Sequence, residues 1–187
     1  MAEITLGPQD ALILVDVQND FCPGGKLAVP EGDGVVPVLN AWIGAAREAG
    51  AVIVASRDWH PADHSSFREQ GGPWPSHCVQ GTPGAEFHAG LELPEGVLVV
   101  SKGDKKELDQ YSDFEQTLLA NALRDMGVTR LFIGGLAQDI CVRATVLDAV
   151  RHGFTTHVIG NGSKPLNGVS GKQALEDMRL AGAVVEQ

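Results

Sequence analysis

Four segments of the sequence each place a chemically capable side chain at the end of a short apolar run. Asp16 sits at the end of Ala11–Val17 and leads into Gln18-Asn19-Asp20-Phe21. Arg57-Asp58-Trp59-His60 follows Ala51–Ala55, and Ser101-Lys102-Gly103 follows Val97–Val100. Gly134-Gly135-Leu136-Ala137-Gln138-Asp139-Ile140-Cys141 follows Arg130–Ile133. A thiol, a carboxylate and an ammonium are the parts of a nucleophilic centre. Cys141 can attack a carbonyl, Asp16 can carry the proton to a leaving ammonia, and Lys102 can stand beside the thiol as a positive charge. Backbone N–H groups at Ala137 and Cys141 can form an oxyanion hole. If Cys141 opens a helix, the helix dipole and Lys102 together favour its thiolate. A thiol of pKa ~8.5 is only about 3% ionised at neutral pH, and lowering it by ~2 units raises the thiolate roughly 25-fold.

A second set lies in the long stretch Ser56–Gly96, which holds Asp58, His60, His64, His77 and His88. Asp58-x-His60 with the distant His77 offers one carboxylate and two imidazoles. Such a set can bind a divalent transition metal and leave coordination positions open. Trp59, Phe67 and Trp74 in the same stretch can wall a flat ring. Each residue alone has a plainer reading. A strand-end Asp often caps a turn, a lone Lys is usually solvated, and a Cys opening a helix is usually a small buried apolar residue. Their arrival at one edge favours chemistry.

That arrival depends on the elements between them. The apolar runs Ala11–Val17, Ala51–Ala55, Val97–Val100, Arg130–Ile133, Thr155–Ile159 and Ala183–Val185 read as strands. Val35, Val38, Leu39, Trp42, Ile43 and Ala46 recur at helical spacing up to Gly50. Ser112 and Glu115 form a capping-box pattern before a helix running to Met126, and Ser170 with Gln173 forms another before a helix running to Ala181. A further helix is expected over roughly Ile140–His152. Alternating strands and helices predict an α/β fold: a three-layer αβα domain with a doubly wound, mainly parallel sheet. In such sheets ligands bind outside the carboxyl ends of the strands, where all four segments fall.

The 187 residues suit one domain spanning 1–187. A net charge of −10, with no run of Lys and Arg, argues against a nucleic-acid partner. No apolar stretch approaches the ~20 residues of a membrane span. Met1–Gly7 has neither the basic nor the long apolar part of a secretion signal. Cys22, Cys78 and Cys141 are an odd set without CxxC spacing, which fits a reducing, cytoplasmic compartment better than a disulfide framework.

Several ordered segments carry a family resemblance. Asp16-Val-Gln-Asn-Asp-Phe21-Cys-Pro-Gly-Gly-Lys-Leu27-Ala-Val29-Pro resembles the N-terminal signature of nicotinamidases, within the isochorismatase-like cysteine hydrolases. Arg57-Asp-Trp-His60-Pro-Ala-Asp-His64-Ser-Ser-Phe67 and Trp74-Pro-Ser-His77-Cys-Val-Gln-Gly-Thr-Pro-Gly-Ala-Glu-Phe-His88 are similar to its central signatures. Ser101-Lys102-Gly103, Asp109-Gln-Tyr111-Ser and the nucleophile motif Gly135-Leu136-Ala137-Gln138-Asp139-Ile140-Cys141-Val142 complete the match. The resemblance implies hydrolysis of nicotinamide to nicotinate and ammonia through a cysteine thioester, in NAD salvage, with pyrazinamide as a second substrate. It implies Asp16, Lys102 and Cys141 as the triad, and the Ala137 and Cys141 backbone as the oxyanion hole with a cis peptide before Ala137. It implies Phe21, Leu27, Trp74 and Tyr111 as the ring pocket. Asp58, His60 and His77 are implied as ligands of one divalent ion, zinc first, with iron or manganese as alternatives. His64 is a ligand in some relatives and stays outside this set. A homo-oligomer is compatible with the resemblance. Gln138 stands where the motif has Thr, and Gly160–Gly171 departs from the family pattern.

Three other readings fit less well. A dinucleotide-binding oxidoreductase would need GxGxxG in the first turn, which reads Asp16-Val-Gln-Asn-Asp-Phe, so no NAD cofactor is expected. A non-catalytic metal-binding or scaffold protein on this fold would be expected to lack a triad member. A carbamoylsarcosine-type amidase shares the triad, and pocket shape decides between it and a nicotinamidase.

Overall fold

In a computed structural model, which describes residues 5–186, the chain folds around one six-stranded sheet. Residues 1–4, part of the opening segment read for a secretion signal, lie outside the described residues. The strands are β1 (Asp10–Val15), β2 (Val52–Asp58), β3 (Leu98–Lys102), β4 (Arg130–Leu136), β5 (Thr155–Lys164) and β6 (Val184–Glu186). Their order is β3-β2-β1-β4-β5-β6, and every pairing is parallel. The strand order reverses between β1 and β4, which opens the crevice expected of a doubly wound sheet.

β1 shows why the sheet is covered on both faces. All six of its residues are buried. Leu12 and Leu14 join one core with Leu39, Trp42 and Ile43 of helix α1 (Val35–Ala49). Ala11, Ile13 and Val15 point the other way. They meet α2 (Leu119–Asp125), α3 (Arg143–Arg151) and α4 (Gly168–Leu180) through Leu123, Val146 and Met178. The first core also takes residues from loops, among them Phe21, Val29, Cys78 and Leu91. The stretch after β2 therefore packs as part of the body. Among the described residues, no helix is long and apolar enough to cross a membrane.

Several expected boundaries move. β2 runs on to Asp58, so that residue ends a strand. The expected helix from Ser112 starts only at Leu119, and its cap residue Leu118 contributes no side-chain hydrogen bond. Ser112 Oγ accepts from Phe114 N–H in a turn, and Gln116 takes a positive φ of 53°, which a continuing helix excludes. At α4 the cap is Asn167, whose side chain accepts from Val169 N–H, and Ser170 lies inside the helix bonded to Asp139. Cys141 lies in a π-turn (Gln138–Val142) that precedes α3. β5 extends five residues past Ile159, through the segment that departed from the family pattern.

Gly135 is the tightest point of the sheet. Its φ is 133°, and a Cβ there would stand 2.0 Å from the Val15 carbonyl of the neighbouring strand. Gly44, on the exposed side of α1, has nothing within 4 Å. Gly135→Ala should therefore cost about 3 kcal/mol or more. Gly44→Ala should gain ~0.5–1 kcal/mol through helix propensity. Chemical denaturation of the two variants checks both the signs and the contrast.

Candidate active site

The carboxyl ends of β1 to β4 deliver the expected groups to one crevice. Asp16 follows β1 in the left-handed region, at φ 50°. That conformation costs a non-glycine residue on the order of 1–3 kcal/mol and is best tolerated by Asn and Asp. Here it accompanies a carboxylate held from two sides: Ser56 Oγ donates to Oδ1 at 2.9 Å, and Lys102 Nζ to Oδ2 at 2.6 Å. Asp16 and Lys102 have no measurable exposure.

Lys102 Nζ makes two hydrogen bonds and faces two further carboxylates. Besides Asp16 it donates to the Tyr111 carbonyl at 2.8 Å and lies 3.2 Å from Asp113 Oδ1, with Asp58 Oδ1 next at 3.8 Å. Burial opposes its charge, but Asp16, Cys141, Asp113 and Asp58 hold it well above the ordinary lysine range, so it stays an ammonium. Burial raises Asp16 to about 7 against the pull of Lys102, with Asp58 and Asp113 adding to the rise. A carboxyl poised there can take or give a proton near neutrality.

Cys141 is buried, and its Sγ lies within 4.8 Å of ligand oxygens of both Asp16 and Asp58. The expected depression of its thiol does not hold. Burial pushes Cys141 well above the ordinary thiol range, Lys102 pulls the other way, and Asp16 and Asp58 reinforce the burial. These influences favour the thiol over the thiolate, and the Asp16 carboxyl lies within reach of its proton. The peptide between Leu136 and Ala137 is cis, and Ala137 and Cys141 both line the cleft.

Asp58, His60 and His77 converge as the sequence suggested. His60 Nδ1 donates to the Gly103 carbonyl at 3.0 Å, and His77 Nδ1 to the Pro75 carbonyl at 2.7 Å. Both Nε2 atoms therefore turn to Asp58 Oδ2, at 3.5 and 3.6 Å. Carbonyl-bonded imidazoles with their second nitrogens pooled on one carboxylate are the usual preparation of a metal site. The three ligand atoms lie within 4.8 Å of one another, and buried Asp58 Oδ1 has no hydrogen-bond partner. The residues fit a divalent transition ion. Gly103 makes the cluster compact: its φ is +58°, and a Cβ would stand 2.4 Å from the His60 ring. His64 stacks on His60 but spends its nitrogens on Ser66 Oγ and the Leu108 carbonyl, and half-buried His88 accepts from Gly90 N–H outside the cluster.

The cavity in this cleft is small, about 30 Å³. Phe21, Leu27, Trp74 and Tyr111 all line it. Trp74 Nε1 donates to Tyr111 Oη at 3.0 Å, which ties two loops together across the cleft.

The sequence reading gave no role to Gln18, Leu166, Ile140 and Asp113. Gln18, fully buried, grips the Asp58 backbone on both sides: its Oε1 accepts from the N–H and its Nε2 donates to the carbonyl, each at 2.8 Å. Leu166 and Ile140 add apolar wall. Leu166 comes from the segment given no chemistry, and Asp139 fixes it by accepting from its N–H at 2.9 Å. Gln138, the departure from the motif, donates to Ser163 Oγ of β5 at 2.9 Å. Asp113 was placed in the first turn of a helix that does not form there, where an acid needs no partner.

Fold and site together define a three-layer α/β domain with a buried thiol centre next to a metal-ligand cluster. The model of the isochorismatase domain matches residues 10–187, and the chain belongs to that family. It is 40% identical to the nicotinamidase of Escherichia coli, over 95% of this chain and 94% of that one. The pyrazinamidase of Pyrococcus horikoshii, solved in complex with zinc, superposes with a TM-score of 0.94 at 50% identity, covering 96% and 99% of the two chains. A protein of L. infantum solved in complex with nicotinate superposes with a TM-score of 0.90 at 34% identity, covering 98% and 96%.

Titration of zinc into the metal-free protein should show one site per chain in calorimetry. Asp58→Ala should weaken it by more than about tenfold, because the shared carboxylate is removed.

Proposed function

We propose that this protein is a nicotinamidase, which hydrolyses nicotinamide to nicotinate and ammonia and also accepts pyrazinamide. The observation that carries the reading is the buried Cys141–Asp16–Lys102 group at the floor of an aromatic cleft, in a chain similar to nicotinamidases over nearly its whole length. Phe21, Leu27, Trp74 and Tyr111 hold the ring, and the carboxamide carbon comes to Cys141.

The reaction then needs only groups in the crevice. Cys141 Sγ bonds to the carboxamide carbon while its proton passes to Asp16, and the C=O electron pair moves onto oxygen. The N–H groups of Ala137 and Cys141 receive that oxyanion. Asp16 returns the proton to nitrogen, the C–N bond breaks, and ammonia leaves a thioester. Asp16 next takes a proton from water as its oxygen attacks the same carbon. The C–S bond breaks, the Asp16 proton goes back to sulfur, and the nicotinic acid formed gives its carboxyl proton to solvent and leaves as nicotinate. Lys102 stays charged throughout and holds Asp16 in place.

A divalent ion on Asp58, His60 and His77 supplies, when bound, a Lewis-acid partner for the pyridine nitrogen. Zinc suits two imidazoles and a carboxylate, and iron or manganese would also be accepted. We assign residues 1–187 to one hydrolase domain acting in NAD salvage. The three cysteines are buried and unpaired, in keeping with a reducing cytoplasm.

Ammonia release from nicotinamide is the direct test. Cys141→Ala should lose nearly all turnover while staying folded, and Asp16→Asn and Lys102→Ala should each lose about 10²-fold or more. A rate within about threefold of wild type for either of the last two would remove that residue from the triad.

Benzamide has the amide and the shape of nicotinamide but lacks the ring nitrogen. Its kcat/KM should be far below that of nicotinamide, and His77→Ala should narrow the gap by harming nicotinamide more. Equal efficiency on the two amides in the wild type would exclude recognition of the ring nitrogen.

A further inference from the structure

Lys102 faces three buried carboxylates, Asp16 at 2.6 Å, Asp113 at 3.2 Å and Asp58 at 3.8 Å; the reaction proposed above uses Asp16, the metal-ligand cluster uses Asp58, and Asp113 is left without a role. Asp113 is as buried as Asp16, its Oδ1 lies 3.2 Å from Lys102 Nζ, and neither of its oxygens has a hydrogen-bond partner. A buried carboxylate so poorly satisfied calls for a reason, because desolvating it costs several kcal/mol. It is also fixed in place: its own N–H donates to Thr145 Oγ1 at 3.1 Å, and the preceding Tyr111 gives its carbonyl to the same ammonium. Asp113 does not line the cleft, so it meets no substrate.

We infer that Asp113 is the standing counter-ion of Lys102, a positioning residue that keeps the buried ammonium paired while Asp16 is protonated in each turnover. The inference rests on the nicotinamidase reading for the steps that change the charge of Asp16. An ammonium 2.6 Å from Asp16, with no second partner, would pin that carboxylate in its ionised form. Moving the thiol proton to Asp16 would then leave a buried charge facing a neutral acid, a costly state in a dry interior. Asp58 Oδ1 stands farther off, at 3.8 Å, so Asp113 at 3.2 Å is the nearest anionic neighbour the ammonium keeps before and after the transfer, and the proton moves at smaller cost. The presence of Asp113 is also one of the influences that raise the proton affinity of Asp16.

Asp113→Asn keeps the shape and removes the charge. It should lower kcat about tenfold, which corresponds to ~1.4 kcal/mol in the barrier, and leave KM within about twofold. Carbamidomethylation of Cys141 by iodoacetamide, read by mass spectrometry against Cys141→Ala, should slow by a similar factor, since it needs the same proton transfer. The melting temperature should fall while melting stays cooperative, because the buried Lys102 ammonium loses one of its counter-charges. A kcat within about twofold of wild type, a loss carried by KM, or an unchanged alkylation rate would overturn the inference. Asp113→Ser is the second variant, and loss of cooperative melting in both would mark Asp113 as structural and also overturn it. If the wild type releases no ammonia from nicotinamide, the reading of the reaction fails, and the alkylation rates still decide the role of Asp113.

Discussion

Lys102 carries a full charge with none of its side chain open to water, and the rest of the site is arranged around that fact. It donates to Asp16 at the end of β1 and to the Tyr111 carbonyl, and it faces the Asp113 carboxylate at 3.2 Å. A buried ammonium with a missing partner is among the most costly defects a core can hold. The segments that supply those oxygens are therefore constrained as strongly as any apolar contact would constrain them. Tyr111 carries the constraint outward, since its ring meets Trp74 across the cleft. Charge pairing at the floor and the shape of the wall are set by one segment.

The same burial decides the character of the thiol. A cysteine at the start of a helix beside a lysine would be an ionised nucleophile on a wet surface. In this crevice desolvation outweighs the lysine, and two nearby carboxylates add to it. In the proposed reaction the proton therefore moves within a thiol–carboxylate pair. Burial lifts Asp16 as well, to about 7.

The metal-ligand cluster depends on the backbone more than on its own side chains. Two carbonyls set the imidazole orientations, a glycine without a Cβ lets His60 approach, and Gln18 fixes the last residue of β2. Asp58 belongs to both centres, through its place among the ligands and its distance of 3.8 Å from Lys102. Its acid-strengthening environment follows from this double role: burial works against ionisation, and Lys102, His60 and His77 together overcome it.

The alternation of apolar runs with helical patterns determined an α/β sheet, and the rule that ligands sit at strand carboxyl ends then put Asp16, Asp58, Lys102 and Cys141 on one rim before any coordinates. Asp58, His60 and His77 were legible because their residue types can hold a metal ion and because the family resemblance singled them out from His64 and His88 in the same stretch. Periodicity failed where local pattern and tertiary demand conflict. Ser112-x-x-Glu115 is a sound capping box, yet the segment is pulled into turns so that Tyr111 and Asp113 can reach Lys102. That error hid Asp113, since an acid in a helical first turn is at home without a partner. Gln18 and Leu166 were beyond reach for a related reason: their work is done across 40 residues of sequence or from the far side of the cleft, and their types carry no chemical signature. The ionisation of Cys141 was the last quantity left to tertiary structure. Residue types and spacing name the charges, but the balance between desolvation and Coulomb attraction depends on depth and distance, which only the packed fold supplies.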